Sequence, residues 1–575
     1  SGPINVTGTV SKTGPGVFTL ANKLNNQGSV KVSGGSLILT GDGVHDGSFT
    51  TAATATLDFQ GGTHSFGDGA VFAGTGTFDG GGTLNVTGTN AGLQFAAGTT
   101  INLNALAFGG SGKITNLGTV NRTSTGNTLT LPGDFVNGVG GTANLTDMTI
   151  GGSLFNYGNF NVGGTVTVAG TQARQLGGVM SIAKLAKLRM TNSAGLFSWQ
   201  DGTIGGLGDL DFSGGSTFLF AGTGDRIING LNFTFNNLVL PNGSLTLQSG
   251  SLTLTGNAVL PSGVELKLLG GTLTNNGTLD VAGKFSLKDG AFAGSGSLSM
   301  SGGSLSLPAG NAVAWSNSGV LTNTGILNLA DSTITNAINN QGDINLGSGL
   351  TFTQVLTNTG TIVAQAGNAV FSAGLNQNAG GNIVLGGGNL QGNVNLMAGS
   401  ISGSGTVNGN LVIGAATIAP GFSPGQMIIN GDLSLGPSSV LTIEIGGLVR
   451  GSGYDWVQVS GTANLNGTLN VNNFGGFVAP AGSSFTFLNA RSTSGSFSST
   501  NLPLAPGFVL TSLAGALTLS VPAPSIPPTA VLVIDPISVA IERLIANDDL
   551  LAVLSVVAPL AATEDTREIE VEGCR

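Results

Sequence analysis

One cysteine, two histidines, two tyrosines and three tryptophans are spread over 575 residues. A lone thiol, Cys574, closes no internal disulfide, so no covalent staple holds the chain. The histidines, His45 and His64, supply neither zinc-ligand spacing nor a partner for a serine or cysteine nucleophile. Charge is equally scarce, 8% of residues against about 25% in ordinary proteins. The 18 basic residues against 28 acidic ones give a net charge of −10. They form no cluster of the kind a phosphate backbone requires, so no nucleic-acid partner is expected. Apolar runs stay below the ~18 residues of a membrane-crossing helix, so no transmembrane helix is expected either.

Glycine is what the chain has in excess, 99 residues, set among 40% apolar residues. Glycine with few charges suits disorder only when hydrophobicity is also low, and here it is not. The apolar atoms have to be buried, and short strands with frequent turns would bury them. Val, Leu, Ile and Phe alternate with Thr, Ser and Asn, as in SLTLQSGSLTLTGNAVL from Ser244 to Leu260. Alternation puts Leu245 and Leu247 on one strand face and the hydroxyl residues on the other. The class is all-β.

A repeat gives the architecture. In Leu321 to Ala364 one phrase occurs three times: Leu321, Ile338 and Leu356, then Asn323, Asn340 and Asn358, then Gly325, Gly342 and Gly360. The copies stand 17 and 18 residues apart. The phrase returns at Leu24-Asn26-Gly28, Ile114-Asn116-Gly118, Leu154-Asn156-Gly158 and Leu273-Asn275-Gly277. This period predicts a right-handed parallel β-helix, a solenoid of stacked coils, over residues 1–445. Coils of about 20 residues at ~4.8 Å per coil give a body on the order of 100 Å long. Glycine is expected to supply positive φ at the corners. Asn323, Asn340 and Asn358 are expected to tolerate the same conformation there and to stack their amides from coil to coil. The interval of 40 residues from Asn116 to Asn156 implies longer or skipped coils.

The texture changes near Ala419. PGFSPG (Pro420–Gly425), GDLSL, IEI, YDWVQVSG (Tyr454–Gly461), GTLNV, then FTFL and SGSF follow in order. This succession resembles the carboxyl-terminal part of bacterial secreted β-helix proteins, namely filamentous-haemagglutinin-like exoproteins of two-partner secretion and autotransporter passengers. The resemblance covers about 100 residues well and the repeat body loosely. It implies a right-handed parallel β-helix, export through an outer-membrane secretion partner, an extracellular or cell-surface location and commonly adhesion or biofilm roles. It assigns 446–521 to C-terminal coils of modified texture. Residues 522–528 then read as a Pro-rich hinge. In 529–575, Ile537, Ile541, Leu544 and Ile545 at helical spacing mark a partly helical capping or docking tail.

Candidate sites are few. Cys574, in EIEVEGCR, is a free thiol, an intermolecular disulfide or an anchor to the secretion machinery. GDLDF puts Asp209 and Asp211 on one strand face, with Asp201 and Asp225 as neighbours on adjoining coils. Carboxylates about 5 to 9 Å apart are what a glycosidase needs. The rival reading is therefore a polysaccharide-active β-helix enzyme using Asp209 and Asp211. MSIAKLAKLRM (Met180–Met190) collects Lys184, Lys187 and Arg189, either on the outer face of a strand or in a short helical excursion. No cofactor is expected, and GDGVHDG (Gly41–Gly47) lacks the acidic ligands of a good calcium site. The favoured expectation is a non-enzymatic surface or matrix protein, an adhesin or fibre. Its partners would be glycans and surfaces of host or neighbouring cells, or copies of itself joined head to tail.

Overall fold

The computed structural model describes residues 2–524 apart from 104–105, 126–127, 366, 379 and 505–506. Cys574, the tail 529–575 and most of the Pro-rich hinge lie outside the described residues. The described chain is a parallel β-solenoid of about 22 turns, and its regular elements are all strands.

Each coil runs along three faces. In the first, Ile4–Val6 lies on face one, Thr9–Lys12 on face two and Val17–Leu20 on face three. Leu24–Asn26 then returns to face one, parallel to the first strand, with Leu24 opposite Ile4. Inward Leu, Val, Ile and Phe alternate with outward Thr, Ser and Asn, so one continuous apolar core fills the stack from Val6 to Val521. Strand alternation needs nothing more than that pattern to bury one side of every coil. The ladder continues through Val440–Ile445, which pairs with Thr468–Asn473 on the next coil.

The recurring glycine has a different role from the one expected of it. Gly325, Gly342 and Gly360 have no positive φ. A Cβ at Gly342 would instead collide with the carbonyl oxygen of Gly325 one coil below, and one at Gly360 with that of Gly342. Coil-to-coil approach of the backbones excludes a side chain. The ladder asparagines likewise have ordinary φ; positive values fall on Asp147, Leu185, Asp331, Ser423 and Ala514 among the non-glycine residues described. The 40-residue interval resolves into two ordinary coils, because Phe135–Asn137 lies between Ile114–Asn116 and Leu154–Asn156 with Asn137 in register.

Strand pairing lapses on a single face between Ala107–Gly110 and Leu129–Leu131 and between Ala312–Trp315 and Thr333–Ile334. Two other places depart further from the regular stack. At the C-terminal end Ser484–Asn489 pairs antiparallel with Ala516–Ser520, which pairs antiparallel with Val509–Leu513. Phe485, Phe487, Phe508, Leu517 and Leu519 are buried beneath this closure. The other departure lies in mid-chain. The face-one sheet stops at Asp209–Asp211 and the face-two sheet at Thr217–Phe220, each paired only to the coil before. Face three alone carries on, through Gly202–Gly205 on Arg226–Asn229.

Candidate functional site

The carboxylates singled out in the sequence stand at this mid-chain break. Lys187–Met190 and Asp209–Asp211 are successive face-one strands, with Lys187 opposite Asp209 and Arg189 opposite Asp211. Lys187 and Arg189 of the basic cluster are thus the outer face of a strand, stacked on the acidic pair, while Lys184 lies in the turn before it. Lys187 Nζ lies 3.7 Å from Asp209 Oδ2, and Arg189 Nε lies 3.3 Å from Asp211 Oδ2. Both pairs face solvent, where such bridges contribute about 0–1 kcal/mol. The Ser213 hydroxyl and N–H, and then the Arg189 and Lys187 charges, hold the Asp211 carboxyl below the usual range. A carboxyl held in its ionised form is poorly suited to be the general acid of a glycosidase. Asp201 and Asp225 are not gathered with the pair. They stand at the corner into face three, where Asp201 caps Gly202 and Asp225 accepts from Ser244.

A cleft of about 600 Å³ opens beside Asp209 and Asp211, between these strands and the following coil. Its floor is aromatic. The Phe218 ring lies 5.6 Å from that of Phe212, 6.0 Å from Phe233 and 5.5 Å from Phe235. At the next corner Arg226 is fully buried, and among the described residues no carboxylate lies in salt-bridge range of it. Its guanidinium donates to five carbonyls, those of Trp199, Ala221, Gly222, Asn242 and Ser244. Burial lowers its pKa, opposed by the Asp201 and Asp225 charges. One cation here adds to face three in tying together coils left unpaired on faces one and two.

The asparagine phrase forms continuous chains of buried amides. Asn323 Nδ2 donates to Asn340 Oδ1 at 2.6 Å and Asn340 Nδ2 to Asn358 Oδ1 at 2.6 Å. Asn358 then donates to Gln377 Oε1. Each Oδ1 of Asn323 and Asn358 also accepts from the glycine N–H two residues on. A second chain runs Asn116, Asn137, Asn156 and Gln175, each link 2.8 Å. The glutamines were missed in the sequence because they break the phrase; their signal is an amide one coil-length after the last asparagine. All these amides are consumed by the fold.

His45 and His64 are both buried, 3.1 Å apart from Nε2 to Nδ1, among Phe49, Phe59 and Phe66. His64 Nε2 donates to Gly61 C=O, so its Nδ1 accepts from His45, and His45 Nδ1 is left without a partner. Burial, then the neighbouring His64, pushes the His45 pKa down to about 3. Near the other end Asp455 accepts from Gly425 N–H at 2.7 Å and Glu444 N–H at 2.8 Å. It thereby pins the PGFSPG turn to the YDW strand and to Ile443–Ile445, which gives those motif residues a structural role. Burial lifts its carboxyl to about 7 against those two donors, with the Glu444 charge also raising it. Among the described residues no three His, Cys, Asp or Glu side chains gather as metal ligands.

No protein-family profile and no curated protein sequence matches the chain. Among solved structures it is similar to the Haemophilus influenzae Hap adhesin, with 13% identity over 87% of this chain and a TM-score of 0.31. The chain spans 64% of that protein's length.

Proposed function

We propose that the chain is the exposed, non-enzymatic part of a bacterial surface or secreted protein, an adhesin or matrix fibre. The observation that supports this is the stack itself. Successive coils keep an apolar interior and present columns of outward Thr, Ser and Asn, a long uncharged polar surface that repeats with the coil. The proposal extends to export through an outer-membrane partner, in the manner of filamentous-haemagglutinin-like exoproteins or autotransporter passengers, and to glycans or proteins of other cells as ligands. Contact between copies is part of the same proposal.

The test is binding of the purified protein to intact cells and to immobilised glycans, run beside an assay for polysaccharide breakdown. Saturable binding without new reducing ends is expected. Breakdown that disappears in an Asp209→Asn, Asp211→Asn double variant would overturn the non-enzymatic reading.

A further inference from the structure

We propose that the mid-chain cleft is a strand-acceptor site that takes one extended segment of a partner polypeptide, with basic and apolar residues in alternation. The inference is independent of which surface the fibre adheres to. Among the described residues both lips of the cleft are strand edges without partners. Asp209 N–H donates back to Ala186 C=O at 3.0 Å, so in a parallel ladder the N–H and C=O of Leu210 point the other way, into the cleft. On the opposite lip Phe235 C=O accepts from Thr255 on the following coil, which turns the backbone groups of Asn232 and Thr234 toward the cleft. Backbone donors and acceptors beside an aromatic floor need partners, and an extended chain between the lips satisfies both edges at once.

Side chains specify what that segment carries. Its inward residues would rest on Phe212, Phe218 and Phe235, which are only partly buried. Its outward residues would continue the columns Thr165–Lys187–Asp209 and Thr167–Arg189–Asp211. Each column ends on a carboxylate, so the complementary next residue is Lys or Arg. The pattern is basic-apolar-basic-apolar, the same pattern as this chain's own Lys187–Met190, which already pairs with Asp209–Asp211 from the other side. The volume, about 600 Å³, lies within the range of ordinary ligand sites.

The experiment uses a fluorescein-labelled peptide with the sequence of residues 182–192 and the whole protein. Fluorescence anisotropy should show saturable binding that weakens with salt. Amide exchange at Leu210 and Thr234 should slow about tenfold in the complex. A peptide with Glu at the positions of Lys187 and Arg189 should lose binding. So should one with Pro at the position of Leu188, which removes a backbone N–H and leaves the flanking charges. In the protein, Thr234→Pro removes a donor on the cleft side alone and should abolish binding, with unchanged circular dichroism confirming the fold. No saturable binding, equal binding of the Pro peptide, or Leu210 and Thr234 amides already protected in the free protein would each overturn the assignment.

Discussion

The coils around Asn340 and the coils around Phe218 are built from the same alternating strands, yet one set is laddered on three faces and the other on one. Around Asn340 the backbones approach so closely that only glycine fits at the corner, and a line of buried amides runs through the stack. Around Phe218 there is no amide line. Large rings occupy the interior, and the coils are joined by face three and by the Arg226 guanidinium. Aromatic bulk alone does not cause the opening. The coils from Gly43 to Phe78 carry Phe49, Phe59, Phe66, Phe72 and Phe78 in contact, and their strands still pair on all three faces. Corner glycine does not decide it either, since a Cβ at Gly230 would collide with the Gly206 carbonyl oxygen at the break just as one at Gly342 does with Gly325. Nor are amides required, because the Gly43–Phe78 coils ladder fully with His45 and Phe66 where Asn340 and its neighbours carry amides.

The largest effect should come from the break, where one side chain does the work of two ladders. Arg226→Met leaves several buried carbonyls without donors and should cost about 4 kcal/mol. Hydrogen exchange should show the loss as protection falling across Leu196–Leu247, with the Asn340 coils unaffected. A uniform loss along the chain would contradict the idea that coils communicate only with neighbours. Next, Gly342→Ala forces a methyl group into the Gly325 carbonyl and should cost about 2–3 kcal/mol. The same change at Gly263, where a Cβ meets nothing but φ is +84°, should cost less, about 1 kcal/mol. Chemical denaturation of the two variants checks the order. Asn340→Ala interrupts the amide chain, leaves Asn323 and Asn358 partly unsatisfied, and should cost about 2 kcal/mol; Asn340→Gln, which keeps an amide as Gln377 does, should recover part of it.

The aromatic but fully laddered coils offer a pH test. His45 is neutral in the fold, with a pKa of about 3 against 6.5 for an unperturbed histidine. The unfolded chain therefore binds more protons in that interval, and stability of these coils should fall as pH drops from about 6.5 toward 3. Asp455 acts in the opposite sense. Its carboxyl titrates near 7 in the fold against 3.8 ordinarily, so its coils lose stability as pH rises through that range. Amide exchange of Phe49 and Phe66 at pH 7 and pH 4.5, with Met427 and Val457 as the opposing set, reads both slopes. His45→Phe should flatten the first only. The smallest effect belongs to the surface pairs: Arg189→Gln should change stability by about 0.5 kcal/mol or less.

Much of this architecture could be read from residue order. Alternation in Ser244–Leu260 announces strands, and the Leu-x-Asn-x-Gly phrase announces coils, because stacked coils demand the same residue at the same place. The break could not be read that way. GDLDF and NFTF are as good strand sequences as any other, and an unpaired edge is a property of the neighbour rather than of the strand. Arg226 was equally hidden, since a single arginine opening a strand looks like surface until the surrounding carbonyls are placed. Asp209 and Asp211 were visible as a pair, but their partners Lys187 and Arg189 lie a coil earlier, and only the register of face one brings the two groups together.

Continuity on face three and separation on faces one and two also give the rod a direction in which it yields. A sideways load that stretches face three must break hydrogen bonds in series with the rest of the ladder. A load from the other side only widens a gap that already exists and meets little beyond the Arg226 contacts. The Asp209–Phe235 region is therefore a flexure with one soft axis, and under a sideways load the solenoid would kink there, and in that plane, before it bends near Asn340.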